Sequence, residues 1–365
     1  MSRGLKWLFL VMMSLALLFG FMHHLVPVER FDFERLHIFL FNLCGGGTLI
    51  LYFSERQPAL SRRARLFLFL AVCFAVSAFF NWTIAAMLLP WPLAILVEQV
   101  RFRTFGRLLP VSLFSSKEPV ADKFHQASLL CLSLSLVFSS GVLFNQEFGP
   151  WITLDAFTLN TFYLAFSFPV SLISMAVIFH LMEEKVGEGR FWEEMAFWGV
   201  SLGVIIFFLV ILARLYLPQV VMAFLLFLFI LLVLILYGRL GSRIQEKHFL
   251  TSGLVFLLIT ALTGMTYIIL KSAGQWSPEQ MRFLLRLHAF TALYGWNLSG
   301  LAVICRRTDF PIQLHSAKVL SLHWLTVLVF CPLGYFSAFV AVGAVAGYTI
   351  LLVILLFSEP SDNGA

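Results

Sequence analysis

The sequence predicts an all-α fold: a polytopic membrane bundle of about twelve transmembrane helices, N-in and C-in, forming one integral domain over residues 1–365. Three observations carry that expectation. Apolar residues make up 60% of the chain and charged ones 12%, a composition that a water-soluble domain could not bury. Apolar segments long enough to cross a hydrocarbon core of about 30 Å recur from end to end. The basic residues are concentrated in alternate connections, as membrane topology requires.

The first segment, 5–26, follows Arg3 and Lys6 and reads as an anchor, because no small-x-small cleavage site succeeds it. The second, 36–53, holds His37, Asn42 and Gly45-Gly46-Gly47. The third and fourth, 66–80 and 82–100, divide only at Asn81, and Pro90 and Pro92 should kink the fourth. A basic loop, 101–126, leads to the fifth and sixth, 127–144 and 157–181. The seventh and eighth, 195–217 and 218–236, meet at Pro218, a natural helix start. The ninth is 249–270. Ser277-Pro278-Glu279-Gln280 reads as a cap, a first-turn proline and acidic first-turn chemistry, so the tenth spans 278–304. Segments 319–333 and 338–357 complete the set.

With both termini cytoplasmic, Arg30, Arg35, Arg214, Lys271, Arg282 and Arg286 fall outside, and the other 19 of the 25 Lys and Arg fall inside. A bacterial cytoplasmic (inner) membrane is the expected location. The charge of +6 and pI near 9.2 follow from this asymmetry and need no nucleic-acid partner; the partner implied is the lipid bilayer. Cys44, Cys73, Cys131, Cys305 and Cys331 lie in or beside apolar runs, form no CxxC or CxxCH motif, and read as packing residues.

The chemistry-bearing feature is a repeat. Arg35-Leu36-His37-Ile38-Phe39 returns as Arg286-Leu287-His288-Ala289-Phe290, and each copy opens a long apolar segment. Ionisable residues within a membrane span are rare and usually functional. Both copies sit in the outer halves of helices that run in the same direction, so His37 and His288 are expected at similar depth. Below His288 one helix face carries Thr291, Ala292, Gly295 and Ser299; below His37 it carries Cys44, Gly45 and Thr48. Such small residues admit either a flat macrocycle or a neighbouring helix. Two imidazoles facing across such a slot ligate a b-type haem, so His37 and His288 are the candidate metal ligands, flanked by Gly45 and Gly295. Arg35 and Arg286, with Arg30 and Arg282, could pair with propionates, although a residue two positions before a helical histidine points away from that histidine's face. His23 and His24 form a candidate second metal site with Glu29 or Asp32. His180 and His323 are assigned to hydrogen bonding at the inner ends.

Histidines in the outer halves of the second and tenth of twelve spans, with His37 leading into Gly45-Gly46-Gly47, are similar to the pattern of the haem-copper oxidase catalytic subunit. There those helices supply the axial ligands of the low-spin haem. The copper site of that family has no counterpart here, since the sixth segment has only His180 and the seventh has no histidine. The resemblance therefore implies an oxidase-like haem protein without the oxygen-reducing centre, closer to the haem-bearing membrane proteins of nitric-oxide response. It would serve electron transfer, with a quinone or cytochrome as redox partner, or haem or gas binding.

Two other readings stand beside it. Twelve spans and the prolines Pro90, Pro92, Pro169 and Pro332 suit a secondary transporter with broken helices. Asp32 and Glu34 could hold a divalent cation in a transferase using a lipid-linked donor, although Asp32 also suits the cap of the second helix. Glu98, Glu193 and Glu194 read as solvated or snorkelling charges near the inner surface.

Overall fold

The computed structural model describes residues 1–27, 31–107, 109–149, 151–154, 157–159, 163–182, 188–241, 245–274, 277–307 and 316–358. Among them the fold is all-helical, with no strand. The helices are α1 (Arg3–Gly20), α2 (Phe33–Glu55), α3 (Arg62–Phe79), α4 (Thr83–Phe105), α5 (Val120–Phe148), α6 (Ser167–His180), α7 (Glu188–Leu212), α8 (Tyr216–Leu240), α9 (Gln245–Ser272), α10 (278–306), α11 (Ala317–Gly334) and α12 (Ala338–Phe357). Nine helices among the described residues are long and apolar enough to cross a membrane. Exposed Leu, Ile and Phe on α7, α8 and α12 give these helices lipid-facing sides.

Several boundaries differ from expectation for local reasons. The first helix ends at Gly20, and a short 3-10 turn, Met22–His24, follows it. The basic loop is shorter than its charges suggest, because α4 runs on to Phe105 and α5 begins at Val120. Charge there is paired. Arg101 Nε donates to Glu98 at 2.8 Å, and Lys123 Nζ lies 2.6 Å from Glu194. Glu98 and Glu194 are thus bound by buried cations, which corrects their reading as solvated charges. α4 breaks at Leu89, just before Pro90, whose ring cannot continue the ladder. Asn81 takes the left-handed φ of 55° that turns α3 into α4. Pro218 falls within the first turn of α8, and α10 starts at Pro278.

The centre of the bundle is α2. Its three consecutive glycines project about 100° apart, and each meets a different neighbour. A Cβ on Gly45 would lie 3.4 Å from Met13 Cε of α1, and one on Gly47 2.9 Å from Phe67 of α3, while one on Gly46 would strike Val170 of α6. The triplet lets three helices approach one backbone together, which explains why 89% of an 18-residue apolar stretch of α2 is buried.

Alongside it runs α10, in the same direction. Arg286 Nη1 meets Glu34 at 2.8 Å near their starts, Asn297 Nδ2 donates to Asn42 Oδ1 at 3.3 Å midway, and Arg307 Nη1 donates to the Phe53 carbonyl at 3.0 Å at their ends. The two histidines of the repeat are therefore level with each other. α2, α10 and α11 each contain a π-helical stretch, at Phe39–Gly47, Thr291–Asn297 and Thr326–Phe330, and each stretch begins two or three residues after a histidine. Such stretches widen a helix and often mark functional sites.

Candidate functional site: two anchored imidazoles

His37 and His288 are held by one shared device. His37 Nδ1 lies 2.8 Å from the Ala16 carbonyl of α1, and His288 Nδ1 lies 2.9 Å from the Thr260 carbonyl of α9. A carbonyl only accepts, so each Nδ1 carries the proton and each Nε2 keeps a bare lone pair. Four residues beyond each carbonyl stands a glycine. A Cβ on Gly20 would come 2.9 Å from His37 Nδ1, and a Cβ on Gly264 2.9 Å from His288 Cε1. Each ring thus sets its Nδ1–Cε1 edge against the backbone of the helix preceding its own. Among the described residues neither Nε2 has a hydrogen-bond partner.

The other histidines are held differently. His23 and His24 donate Nε2–H to the Tyr335 and Gly334 carbonyls at 2.9 and 2.8 Å. His323 donates Nε2–H to the Tyr294 carbonyl at 2.7 Å, inside the π-helical stretch of α10. Unlike His23, His24, His125 and His323, whose Nε2 is engaged, His37 and His288 present Nε2, the nitrogen that proximal haem histidines offer while Nδ1–H is held by an outer partner.

The structure places the two rings on different sides of α10. Arg286, Phe290 and Tyr294, spaced four apart, form the face turned toward α1 and α2: Arg286 pairs with Glu34, the Phe290 ring lies 5.8 Å from Phe21, and Tyr294 Oη lies 2.9 Å from His37 Nδ1. His288 is two residues from both Arg286 and Phe290, about 200° round the helix, and rests on α9. The two rings therefore do not face each other across one gap, as two axial ligands of a single iron would.

The remaining residues of the repeat make protein contacts. Arg35 pairs with Asp32 at 3.3 Å and donates to the Ala78 carbonyl and Asn81 Oδ1. Arg286 stacks on Tyr335, 4.1 Å from the ring centre, besides holding Glu34. Gly45 is filled by Met12 and Met13, and a Cβ on Gly295 would lie 2.5 Å from Phe256 of α9. The small faces below the histidines therefore receive α1 and α9. Asp32 caps α2 by accepting from the Arg35 amide at 2.9 Å, so neither carboxylate of the acidic pair is left for a cation. Among the described residues no three His, Cys, Asp or Glu side chains gather as a metal site. Glu29 and Arg30 lie outside the described residues.

Sequence reasoning missed Tyr294; His323, expected to hydrogen-bond, does so at the Tyr294 carbonyl. Tyr294 is wholly buried, links His37 through its hydroxyl and receives His323 at its carbonyl. Its position eight residues after Arg286, on the same face, was the available signal.

Long apolar helices around a buried polar centre define an integral, polytopic helical membrane protein. The chain matches no protein-family description, no curated protein and no solved structure.

Proposed function

We propose that this is a twelve-span protein of a bacterial cytoplasmic membrane, both termini inside, that binds b-type haem through His37 and His288. The observation that carries this reading is the matched anchoring of the two rings: Nδ1–H held by a backbone carbonyl, Nε2 without a partner among the described residues. Each histidine would hold a haem iron by itself, and haem held by a single imidazole would supply gas-binding chemistry rather than bis-imidazole electron transfer. The distribution of Lys and Arg supports the orientation.

The test is an absorption spectrum of the detergent-purified protein, oxidised and dithionite-reduced, with and without added haem. A Soret band is expected that His37→Ala and His288→Ala each diminish and that the double variant lacks. Protein that stays colourless after haem is supplied would sink the reading.

A further inference from the structure

A second site lies at the end of the bundle remote from His37, where α2, α6 and α10 finish and α5 begins. It is a cavity of about 410 Å³, within the range of small-molecule sites, about 300 to 1,000 Å³. Its polar lining is Arg56, Arg307, His125, His180 and Asp122; Val177, Val303 and Ile304 supply apolar wall.

Among the described residues of this lining, positive charge is in excess. The Arg56 guanidinium has no hydrogen-bond or carboxylate partner among the described residues, and the residue occupies the left-handed position closing α2, φ 52° and ψ 25°, where glycine is the common occupant. Arg307 is fixed by its bond to the Phe53 carbonyl and by the Tyr52 and Phe53 rings, 5.2 and 5.3 Å away. Of the carboxylates near this end, Glu55 is taken by Arg63 and Glu194 by Lys123. Among the described residues, Asp122 is the one carboxylate in the cavity lining with the two guanidinium groups. Ser54 donates its hydroxyl to the Ile50 carbonyl at 2.7 Å and so accepts His125 Nε2–H at 2.6 Å, which leaves Nδ1 as that ring's acceptor. The set offers two guanidinium forks for an oxyanion, an imidazole acceptor for a protonated oxygen, and apolar wall beside them.

We infer that this cavity binds an amphipathic oxyanion, a phosphate or carboxylate head carrying an apolar body. The head could come from a lipid of the adjoining leaflet or from a soluble metabolite, and the chemistry of recognition is the same.

The test uses the full chain in a neutral detergent, with thermal unfolding followed against hexyl phosphate, inorganic phosphate, phosphatidylglycerol and phosphatidylcholine. Hexyl phosphate should raise the unfolding temperature saturably. Arg56→Gln, which removes no contact of the fold, should weaken that response about tenfold, while Arg62→Gln, an exposed residue of α3 outside the cavity, should not. A matching response to phosphatidylglycerol but not phosphatidylcholine assigns the head to lipid; a response to hexyl phosphate without one to phosphatidylglycerol assigns it to a soluble ligand. No saturable shift in the native protein, or equal responses in Arg56→Gln and Arg62→Gln, would overturn the site. Inorganic phosphate acting as strongly as hexyl phosphate would overturn the apolar part of the assignment.

Discussion

The Tyr294 hydroxyl stands 2.9 Å from His37 Nδ1, both groups buried, and so joins α10 to α2 at the level of the repeated histidines. The proton on Nδ1 is already committed to the Ala16 carbonyl, so the tyrosine oxygen shares it as a second acceptor. Tyr294→Phe should therefore cost less than about 1.5 kcal/mol. The ring would keep its packing against Phe41 and Tyr348, at 5.0 and 4.9 Å, and His37 would keep its anchor. Chemical denaturation in detergent measures the difference, and a loss well above that figure would mean that Tyr294, not Ala16, positions the ring.

The glycines behind the imidazoles make a sharper test. Gly20→Ala and Gly264→Ala would each push a methyl against a ring that lies 2.9 Å from the Cβ position. Each should destabilise by about 1 to 3 kcal/mol through overpacking and, on the proposed haem-binding function, should alter the absorption spectrum by tilting one imidazole. Gly343→Ala, in α12 with nothing within 4 Å of its Cβ, is the matched control and should be neutral or stabilising by up to about 1 kcal/mol. Equal effects at all three positions would refute the anchoring role.

His23 gives a pH dependence of defined sign. Burial chiefly, then the neighbouring His24 and Arg286 charges, hold its pKa below the ordinary histidine value of about 6.5. The unfolded chain then takes up a proton more readily than the folded one. The contribution of His23 is fully present above about pH 6.5 and is lost as pH falls through the lowered folded value. Unfolding temperatures measured from pH 8 down to pH 5 should fall, and His23→Gln should flatten that part of the profile.

Much of this was legible in the sequence, and the limits are physical. Apolar run length and basic-residue placement depend only on the bilayer, so the helices and the common direction of α2 and α10 could be read directly. The repeat also gave the level of His37 and His288, since Glu34 meets Arg286 near the start of both helices. The rotation of α10 about its own axis was not legible from the histidines alone, because it is set by what α9 offers at Gly264 and Phe256. One clue was present: Arg286, two residues before His288, belongs on the opposite face, and it is Arg286 that meets α2. The run Gly45-Gly46-Gly47 did not disclose that its neighbours are α1, α6 and α3.

The Lys123–Glu194 pair tests the charge correction. Lys123 is 2% exposed and Glu194 21%, so the lysine depends on its partner far more than the glutamate does. Glu194→Gln strands a buried ammonium and should cost about 3 kcal/mol, near the lower end for breaking a buried pair. Lys123→Met leaves Glu194 near water and within 3.9 Å of Arg190, and should cost less. Paired stability measurements give the order; Lys123→Met being the worse of the two would mean that packing around the lysine stem outweighs the charge.

The polar centre where α2, α6 and α10 cross supplies the last test. Asn297 donates Nδ2 to Asn42 Oδ1 and to Ser167 Oγ at 2.8 Å, and its Oδ1 accepts from Ser171 at 3.1 Å, while Trp296 Nε1 donates to the same Ser171 hydroxyl at 2.7 Å. One amide thus ties three helices where both asparagines are fully buried. Inter-helix hydrogen bonds within membranes average about 0.6 kcal/mol and reach about 1.7, so Asn297→Ala should cost about 1 to 2 kcal/mol. Asn297→Asp keeps the shape but, ionised, loses both donors and buries a charge, and should cost more. If the aspartate variant proved as stable as the asparagine, the donors at this crossing would be dispensable, and the three helices would be held by apolar packing alone.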